Sequence, residues 1–176
     1  MAKLFNARYQ DSSAVNGLSS ANKEIESSYK ELAGALPGMI EAAWDSLDQA
    51  DREDIDRIAE LQDAGWLYAY GVLTHRIRRH DLVRRILSYA EQRGFVVEPR
   101  LEYDVDEDEF AYRLAGRSHR MSEGELRGIL EGMCCIRLRK GGQEPCIPLL
   151  KVHWQENTFD AQLVPLAKIN ESLNRL

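Results

Sequence analysis

The sequence predicts an α+β protein with a helical N-terminal half and an antiparallel sheet in its C-terminal half. The boundary is Gly94: before it, apolar residues recur at the spacing of a helix, and after it they mostly alternate, as in strands. We expect three to four helices in residues 1–94, and a sheet of about five strands with two short helices in residues 95–176. The junction between these halves is short, so we interpret them as two subdomains that pack together.

The first twenty residues are rich in Ser, Ala and Asn without a clear period, and we interpret residues 1–20 as a loosely held arm. A first helix follows, indicated by four apolar residues that share one helical face: Ile25, Tyr29, Leu32 and Leu36. Pro37-Gly38 is expected to end this helix, because proline disfavours helical backbone in the residue before it.

Further helices are predicted between Pro37 and Gly94. The second, residues 39–61, pairs an apolar face with an acidic face formed by Asp45, Asp48, Asp51, Glu53, Asp54, Asp56 and Glu60. The third either continues it through Gly65 or starts at Asp63, and has four residues at helical spacing: Trp66, Tyr70, Leu73 and Ile77. The fourth covers residues 82–93, with Asp81 as its cap and Gly94 as its left-handed end. Its expected buried arc is Leu82, Val83, Ile86, Tyr89 and Ala90.

Alternation predicts the strands of the C-terminal half. Extended stretches at residues 97–105 and 110–114 flank an acidic turn, and Ser122 and Glu125 then fit the capping box of a short helix. Residues 134–140 and 145–154 are expected to pair around Gly141-Gly142, because two glycines permit the positive φ angles of a tight hairpin. A strand at residues 159–163 and a helix at 167–176 complete this half.

The composition is that of a folded protein in a reducing compartment. Of 176 residues, 44% are hydrophobic and 30% are charged, which is atypical of a disordered chain. No apolar run approaches the roughly 20 residues of a membrane span, and no apolar signal segment is seen at the start. Three cysteines do not fit the even counts of secreted disulfide frameworks. We therefore expect a cytoplasmic protein, from a bacterium or one of its mobile elements.

The sharpest charge feature is a basic run from His75 to His80 with two arginines after it. The net charge of the chain is −6, so any basic site has to be local. The candidate contact residues are Arg76, Arg78, Arg79, Arg84 and Arg85, since arginine binds carboxylates and phosphates in bidentate geometry. Three alternatives are open: neutralisation by the acidic helix face, an acidic protein partner, or nucleic acid.

A second candidate contact surface is the acidic stretch from Glu102 to Glu109, represented by Asp104, Asp106, Glu107 and Asp108. The alternating aspartates match a calcium loop only superficially. Glu109 stands where that loop requires glycine, and Ala115 stands where it requires a bidentate glutamate. We interpret the stretch as a solvated turn or as a surface that attracts a basic partner.

No catalytic, metal or cofactor site is predicted. Cys134, Cys135 and Cys146 are interpreted as small buried hydrophobes rather than zinc ligands, because adjacent residues of a strand point to opposite faces. His80-Asp81 lacks the further ligands of a metal-dependent phosphohydrolase, and Asp81 as a helix cap explains the pair more simply. Gly141-Gly142 lacks the Lys-Ser/Thr element of a phosphate loop.

These observations favour a non-catalytic binding protein over an enzyme. The expected role is that of an adaptor, inhibitor or chaperone-like protein that holds a protein partner through its charged patches. The alternative is a nucleic-acid-binding regulator that uses the basic helix region from Arg76 to Arg85. An enzyme with a dispersed site is the third hypothesis. Association with a second copy is also predicted, because sheet edges and apolar helix faces pair symmetrically.

Overall fold

The fold is α+β, as the sequence predicts. The computed structural model describes residues 11–53, 65–97, 122, 124, 125, 128, 134–155 and 158–176, without the side chains at 11–19, 47–53, 65–68, 152–155 and 158–159. The helices are α1 (Asp11–Glu53), α2 (Gly65–Arg78), α3 (Asp81–Glu91) and α4 (Leu166–Asn174). The strands are β1 (Val96–Val97), β2 (Cys135–Arg139), β3 (Cys146–Pro148), β4 (Leu150–Gln155) and β5 (Thr158–Leu163). These strands all follow Gly94, where the period of the sequence changes.

The first helix does not end at Pro37. α1 continues through the proline to Glu53, so the predicted break and the separate helix starting at residue 39 are wrong. A proline inside a helix removes a backbone hydrogen bond and costs about 3 kcal/mol. Burial offsets this cost, because the apolar stripe continues past Pro37, with members Leu32, Leu36, Met39, Ile40 and Ala43. Ala33, whose carbonyl loses its partner, is exposed, so water can hydrogen-bond to that carbonyl.

α1 also begins earlier than the sequence indicates. Its first residue is Asp11, so residues 11–20 are helical where we expected an arm, and residues 1–10 lie outside the described part of the chain. Helix propagation accounts for the difference, because each residue added to an existing helix gains a hydrogen bond without a new nucleation step. Serine and asparagine oppose this only weakly, by less than about 0.7 kcal/mol per residue.

The stripes predicted for the next two helices are confirmed. Tyr70, Leu73 and Ile77 are buried in α2, while the side chain of Trp66 lies outside the described residues. In α3, the five residues of the predicted arc are the five buried ones: Leu82, Val83, Ile86, Tyr89 and Ala90. Gly94 follows with φ at +79°, the left-handed conformation expected of it.

The cap of α3 is His80, and the assignment of that role to Asp81 is wrong. The Nδ1 atom of His80 accepts a hydrogen bond from the backbone N–H of Leu82 at 3.1 Å. Asp81 lies one residue later, in the first turn, where a carboxylate is favoured by the helix dipole. There it forms an ion pair with Arg84, three residues on.

The five described strands form two small antiparallel sheets. β2 lies between β1 and β3 in the first sheet, and β4 pairs with β5 in the second. The strand predicted over residues 145–154 is therefore divided, at Leu149. The N–H of Leu149 donates to the carbonyl of Cys134 at 3.0 Å, and the carbonyl of Leu149 accepts from Val164 at 2.9 Å. Leu149 thus directs one backbone group to each sheet.

The turn between β2 and β3 is the predicted glycine pair. Gly141 and Gly142 have φ angles of +53° and +83°, and the flanking Lys140 and Gln143 exchange both backbone hydrogen bonds. Positive φ at both central residues gives the turn that fits the right-handed twist of a hairpin. The resulting register places Arg137 opposite Cys146.

Glycine-to-alanine substitutions should have opposite effects in the hairpin and in α1. At Gly142, alanine would have to adopt a left-handed backbone, so we expect Gly142→Ala to lower the free energy of unfolding by about 1–2 kcal/mol. Gly34 is helical and exposed, with open space where a Cβ would lie, so Gly34→Ala should raise it by about 1 kcal/mol. Urea denaturation measures both. If both variants changed the free energy of unfolding in the same direction, either the left-handed turn at Gly142 or the helix at Gly34 would be contradicted.

The capping box at Ser122 is confirmed. Its N–H and its hydroxyl both donate to the carboxylate of Glu125, at 2.9 and 2.8 Å, and the N–H of Glu125 donates back to the serine oxygen. These hydrogen bonds lower the pKa of the Glu125 carboxyl. The other elements predicted between residues 98 and 133 lie largely outside the described residues.

One apolar cluster contains buried residues from both halves of the chain. It includes Leu32 of α1 and Ile86 of α3 together with Ile147 of β3 and Ile169 of α4. A hydrogen bond also crosses between the halves, because the hydroxyl of Tyr29 donates to the carbonyl of Val164 at 2.9 Å. The organisation as subdomains 1–94 and 95–176 stays a prediction.

Candidate functional site

The predicted arginine surface is formed where α2 meets α3. Ile77 is buried, while Arg76 before it and Arg79 two residues after it are exposed. The two helices are joined by a tight turn in which the N–H of His80 donates to the carbonyl of Ile77 at 3.0 Å. This turn brings the basic end of α2 next to the first turns of α3.

Arg84 and Arg85 form ion pairs with described residues. Arg84 binds the carboxylate of Asp81, and the guanidinium of Arg85 binds Glu24 of α1 at 2.5 Å. The predicted partners were the carboxylates of the acidic helix face, whose only described side chain is the exposed Asp45. The observed partners are different carboxylates. Both pairs are partly exposed, and such pairs contribute about 0.2–1 kcal/mol each.

Arg76 and Arg79 make no ion pair with a described residue, and both are exposed. Arg76 lies in the last turn of α2 and Arg79 in the turn that follows. A cation is favourable at a helix C-terminus even without a partner, because it interacts with the helix dipole. With respect to the described residues, their guanidinium groups are available to bind carboxylates or phosphates from outside.

Arg78 has different surroundings from its neighbours. It is half-buried at an apolar cavity of about 570 Å³, whose lining includes Ile77, Val83, Leu87, Phe95 and Ile136. Burial lowers the pKa of the Arg78 guanidinium, although nearby Cys134 and Tyr70 oppose the shift. Arg78 is therefore less available to a macromolecular partner than Arg76 and Arg79, although the sequence alone grouped the three together.

The acidic surface lies outside the described residues. Asp104, Asp106, Glu107 and Asp108 all fall within residues 98–121, for which the structure gives no placement. Their proposed contact with a basic partner stays a prediction.

The three cysteines have three different environments, so their prediction as buried hydrophobes holds for Cys134 alone. Cys134 is buried, lies 3.3 Å from the hydroxyl of Thr74, and has a raised pKa because burial disfavours the thiolate. Cys135 is half-buried, and Cys146 is exposed. The prediction failed because β3 is short and presents Cys146 on its outer face, next to buried Ile147.

Cys135 and Cys146 lie close together across the first sheet. A hydrogen bond between the two thiols raises the pKa of Cys135 and lowers the pKa of Cys146, which corresponds to Cys135 as the donor. This pair is not evident from the sequence, since eleven positions and a turn separate the two residues. One signal was available: both cysteines lie an even number of positions from the Gly141-Gly142 turn. In a hairpin with a two-residue turn, such positions point to the same face of the sheet.

No metal site is seen in the described ranges. Among the side chains described at residues 20–46, 69–97, 134–151 and 160–176, no three His, Cys, Asp or Glu residues are grouped as metal ligands would be. His119 lies outside the description, as does the side chain of His153.

Comparisons with known proteins identify no relative of this chain. Family models, curated protein sequences and solved structures were all compared with it, and none matches. Among the described helices, none is both long enough and apolar enough to cross a membrane. What the chain does has to be inferred from its own residues.

Proposed function

We propose that this chain is a non-catalytic binding protein that holds an acidic segment of a protein partner through Arg76 and Arg79. The observation that carries the proposal is that these two arginines are exposed and lack an ion pair with a described residue. Arg84 and Arg85, which the sequence analysis also named, bind Asp81 and Glu24 and would contribute only at the edge of the contact. The role would be that of an adaptor, inhibitor or chaperone-like protein in the cytoplasm.

The charge of the chain favours a protein partner over nucleic acid. With a net charge of −6, the molecule as a whole repels a long polyanion such as duplex DNA, whereas a short acidic segment can bind within the local basic surface that attracts it. Carboxylates presented two or three at a time suit a surface of two arginines better than a continuous phosphate backbone does. Because exposed ion pairs are worth about 0.2–1 kcal/mol each, the contact should be modest in affinity and weakened by salt.

Charge reversal tests the proposal. In the variant Arg76→Glu/Arg79→Glu, attraction becomes repulsion, so we expect binding of a fluorescently labelled oligoglutamate peptide to weaken by about tenfold or more, equivalent to about 1.4 kcal/mol. Fluorescence anisotropy at low and at physiological salt measures the effect. The expected salt dependence is also smaller in the variant.

A matched control changes the net charge equally at another place. Arg139 and Arg175 are both exposed. Arg139 is the last residue of β2, and Arg175 follows α4. Arg139→Glu/Arg175→Glu should leave most of the binding intact. Equal weakening in both double variants would show that overall charge, rather than the Arg76–Arg79 surface, determines binding, and unchanged binding in the first variant would remove that surface from the proposal.

Nucleic acid is the alternative partner, and the same two arginines would bind its phosphates. With Arg84 and Arg85 paired, contacts by Arg76 and Arg79 alone give a salt slope of about −1.8 on duplex DNA, at about −0.9 per phosphate contact. A gel-shift titration at several salt concentrations measures it. Binding of duplex DNA that exceeds binding of the oligoglutamate peptide would favour this alternative.

A further inference from the structure

The outer face of the hairpin between β2 and β3 brings two cysteines and an arginine together. Along β2, Ile136 and Leu138 are buried, while Arg137 and Arg139 are exposed and Cys135 is half-buried. Across from it in β3, Cys146 is exposed and Ile147 is buried. The register sets Cys146 opposite Arg137 and Cys135 opposite Pro148, so the two cysteines are diagonal neighbours on one face.

The contacts within this group favour the thiolate form of Cys146. The hydrogen bond from the Cys135 thiol lowers the pKa of Cys146, and the guanidinium of Arg137 lowers it further, against the opposing effect of partial burial. The same hydrogen bond raises the pKa of Cys135, which holds its proton as long as Cys146 is a thiolate. Because the thiolate is the nucleophilic form of cysteine, the lowered pKa and the exposure of Cys146 make it the more reactive of the two thiols.

We propose that Cys146 and Cys135 form a redox-active thiol pair, in which Cys146 is oxidised by hydrogen peroxide and Cys135 then closes a disulfide. In the first step the Cys146 thiolate attacks one peroxide oxygen, the O–O bond breaks, and the sulfur becomes a sulfenic acid as the other oxygen leaves as water after taking up a proton. In the second step the Cys135 sulfur, having lost its proton, attacks the Cys146 sulfur and displaces the hydroxyl as a second water molecule. The two thiols lose two electrons in all, and one peroxide molecule is reduced to two water molecules.

The sheet can accommodate this bond. Diagonal neighbours across antiparallel strands have Cα atoms roughly 7–8 Å apart, whereas a disulfide needs a Cα–Cα distance of about 4.4–6.8 Å, so one strand has to shift slightly. Among the described strands, β3 lies at the edge of its sheet and contains three residues, so it has fewer ladder hydrogen bonds to disturb than β2, which holds the other cysteine. A bond that requires such a shift is readily reduced, so the pair is expected to cycle rather than to serve as a permanent cross-link.

Cys134 provides the internal control. It precedes Cys135 directly but is buried, and burial raises its pKa, so it should not react in the folded protein. Trypsin cuts after Arg137, Arg139 and Lys140, which separates a peptide with Cys134 and Cys135, residues 128–137, from one with Cys146, residues 141–151. The variant Cys134→Ser leaves a single cysteine in each peptide.

The experiment treats the reduced full chain with hydrogen peroxide, blocks remaining thiols, and maps the tryptic peptides by mass. We expect Cys134→Ser and the unaltered chain to lose the mass of two hydrogen atoms and to join the two peptides, reversibly with dithiothreitol. Cys135→Ser should stop at the sulfenic acid of Cys146, which dimedone traps, and Cys146→Ser should form no link. No link in the unaltered chain, a link through Cys134, or a link between two molecules would overturn the proposal.

A second measurement does not depend on any cysteine variant. Alkylation of Cys146 by iodoacetamide, followed as a function of pH, reports the pH at which its thiolate forms. Arg137→Ala should shift that midpoint to higher pH. Arg137→Lys retains the positive charge, so its midpoint should stay close to that of the unaltered chain. An unchanged midpoint in Arg137→Ala would contradict the assigned environment of Cys146.

Discussion

Replacing Pro37 by alanine is expected to raise the free energy of unfolding by about 2 kcal/mol. Pro37 lies inside α1, where it removes a backbone hydrogen bond and costs about 3 kcal/mol relative to alanine. Part of that gain is lost, because proline also restricts the unfolded chain by about 0.4–1 kcal/mol, and alanine does not. Pro37 is exposed, so the substitution removes no core contact.

Pro165 supplies the matched control for this measurement. It precedes α4 with φ at −52° and extended ψ, a conformation that suits proline. Pro165→Ala should therefore lower the free energy of unfolding slightly, by about 0.4–1 kcal/mol, through the unfolded chain alone. Urea denaturation of both variants gives the comparison. If Pro37→Ala is destabilising to the same extent as Pro165→Ala, α1 does not pass through residue 37 as one helix.

The features that the sequence predicted correctly are those determined within about four residues. The buried arc of α3, the capping box of Ser122 with Glu125, and the Gly141-Gly142 turn depend on spacing, capping chemistry and backbone freedom at neighbouring positions. Such local preferences act wherever the segment lies in the fold. They can therefore be derived from a single sequence without knowledge of the packing.

The features that were missed depend on parts of the chain that are distant in sequence. Local preference predicted a helix end at Pro37, but burial of the stripe against the core outweighed it. Leu149 divides a strand because its two backbone groups have partners on different sheets, at Cys134 and Val164. No pattern around Leu149 itself indicates either partner.

The same distinction applies to the candidate sites. The arginines were found from the sequence as a run of charge, but which of them stay available depends on where carboxylates are brought by the fold. Asp81 lies three residues from Arg84, and that pair could have been predicted from helical spacing. Glu24 lies on another helix, 61 positions from Arg85, and only the packing of α1 against α3 brings them together.

Truncating either of two core isoleucines should destabilise the whole molecule. Ile86 of α3 and Ile147 of β3 are both fully buried and belong to one apolar cluster. Each substitution, Ile86→Ala or Ile147→Ala, removes buried methyl groups and leaves a cavity, so we expect the free energy of unfolding to fall by about 2–5 kcal/mol. Ser88→Ala, on the exposed face of α3, should change it by less than about 0.5 kcal/mol.

The two isoleucines also test how the halves of the chain depend on each other. Trp44 lies on α1 and Trp154 on β4, so variants in which Trp66 and one of these two tryptophans are replaced report unfolding of one half each by fluorescence. If the core shared by the halves makes them cooperative, Ile86→Ala and Ile147→Ala will shift the urea transition of both reporters together. If residues 1–94 and 95–176 are instead independent domains, Ile86→Ala will shift only the Trp44 transition and Ile147→Ala only that of Trp154. The shared cluster favours the first outcome, because a cavity opened on either side removes contacts from both.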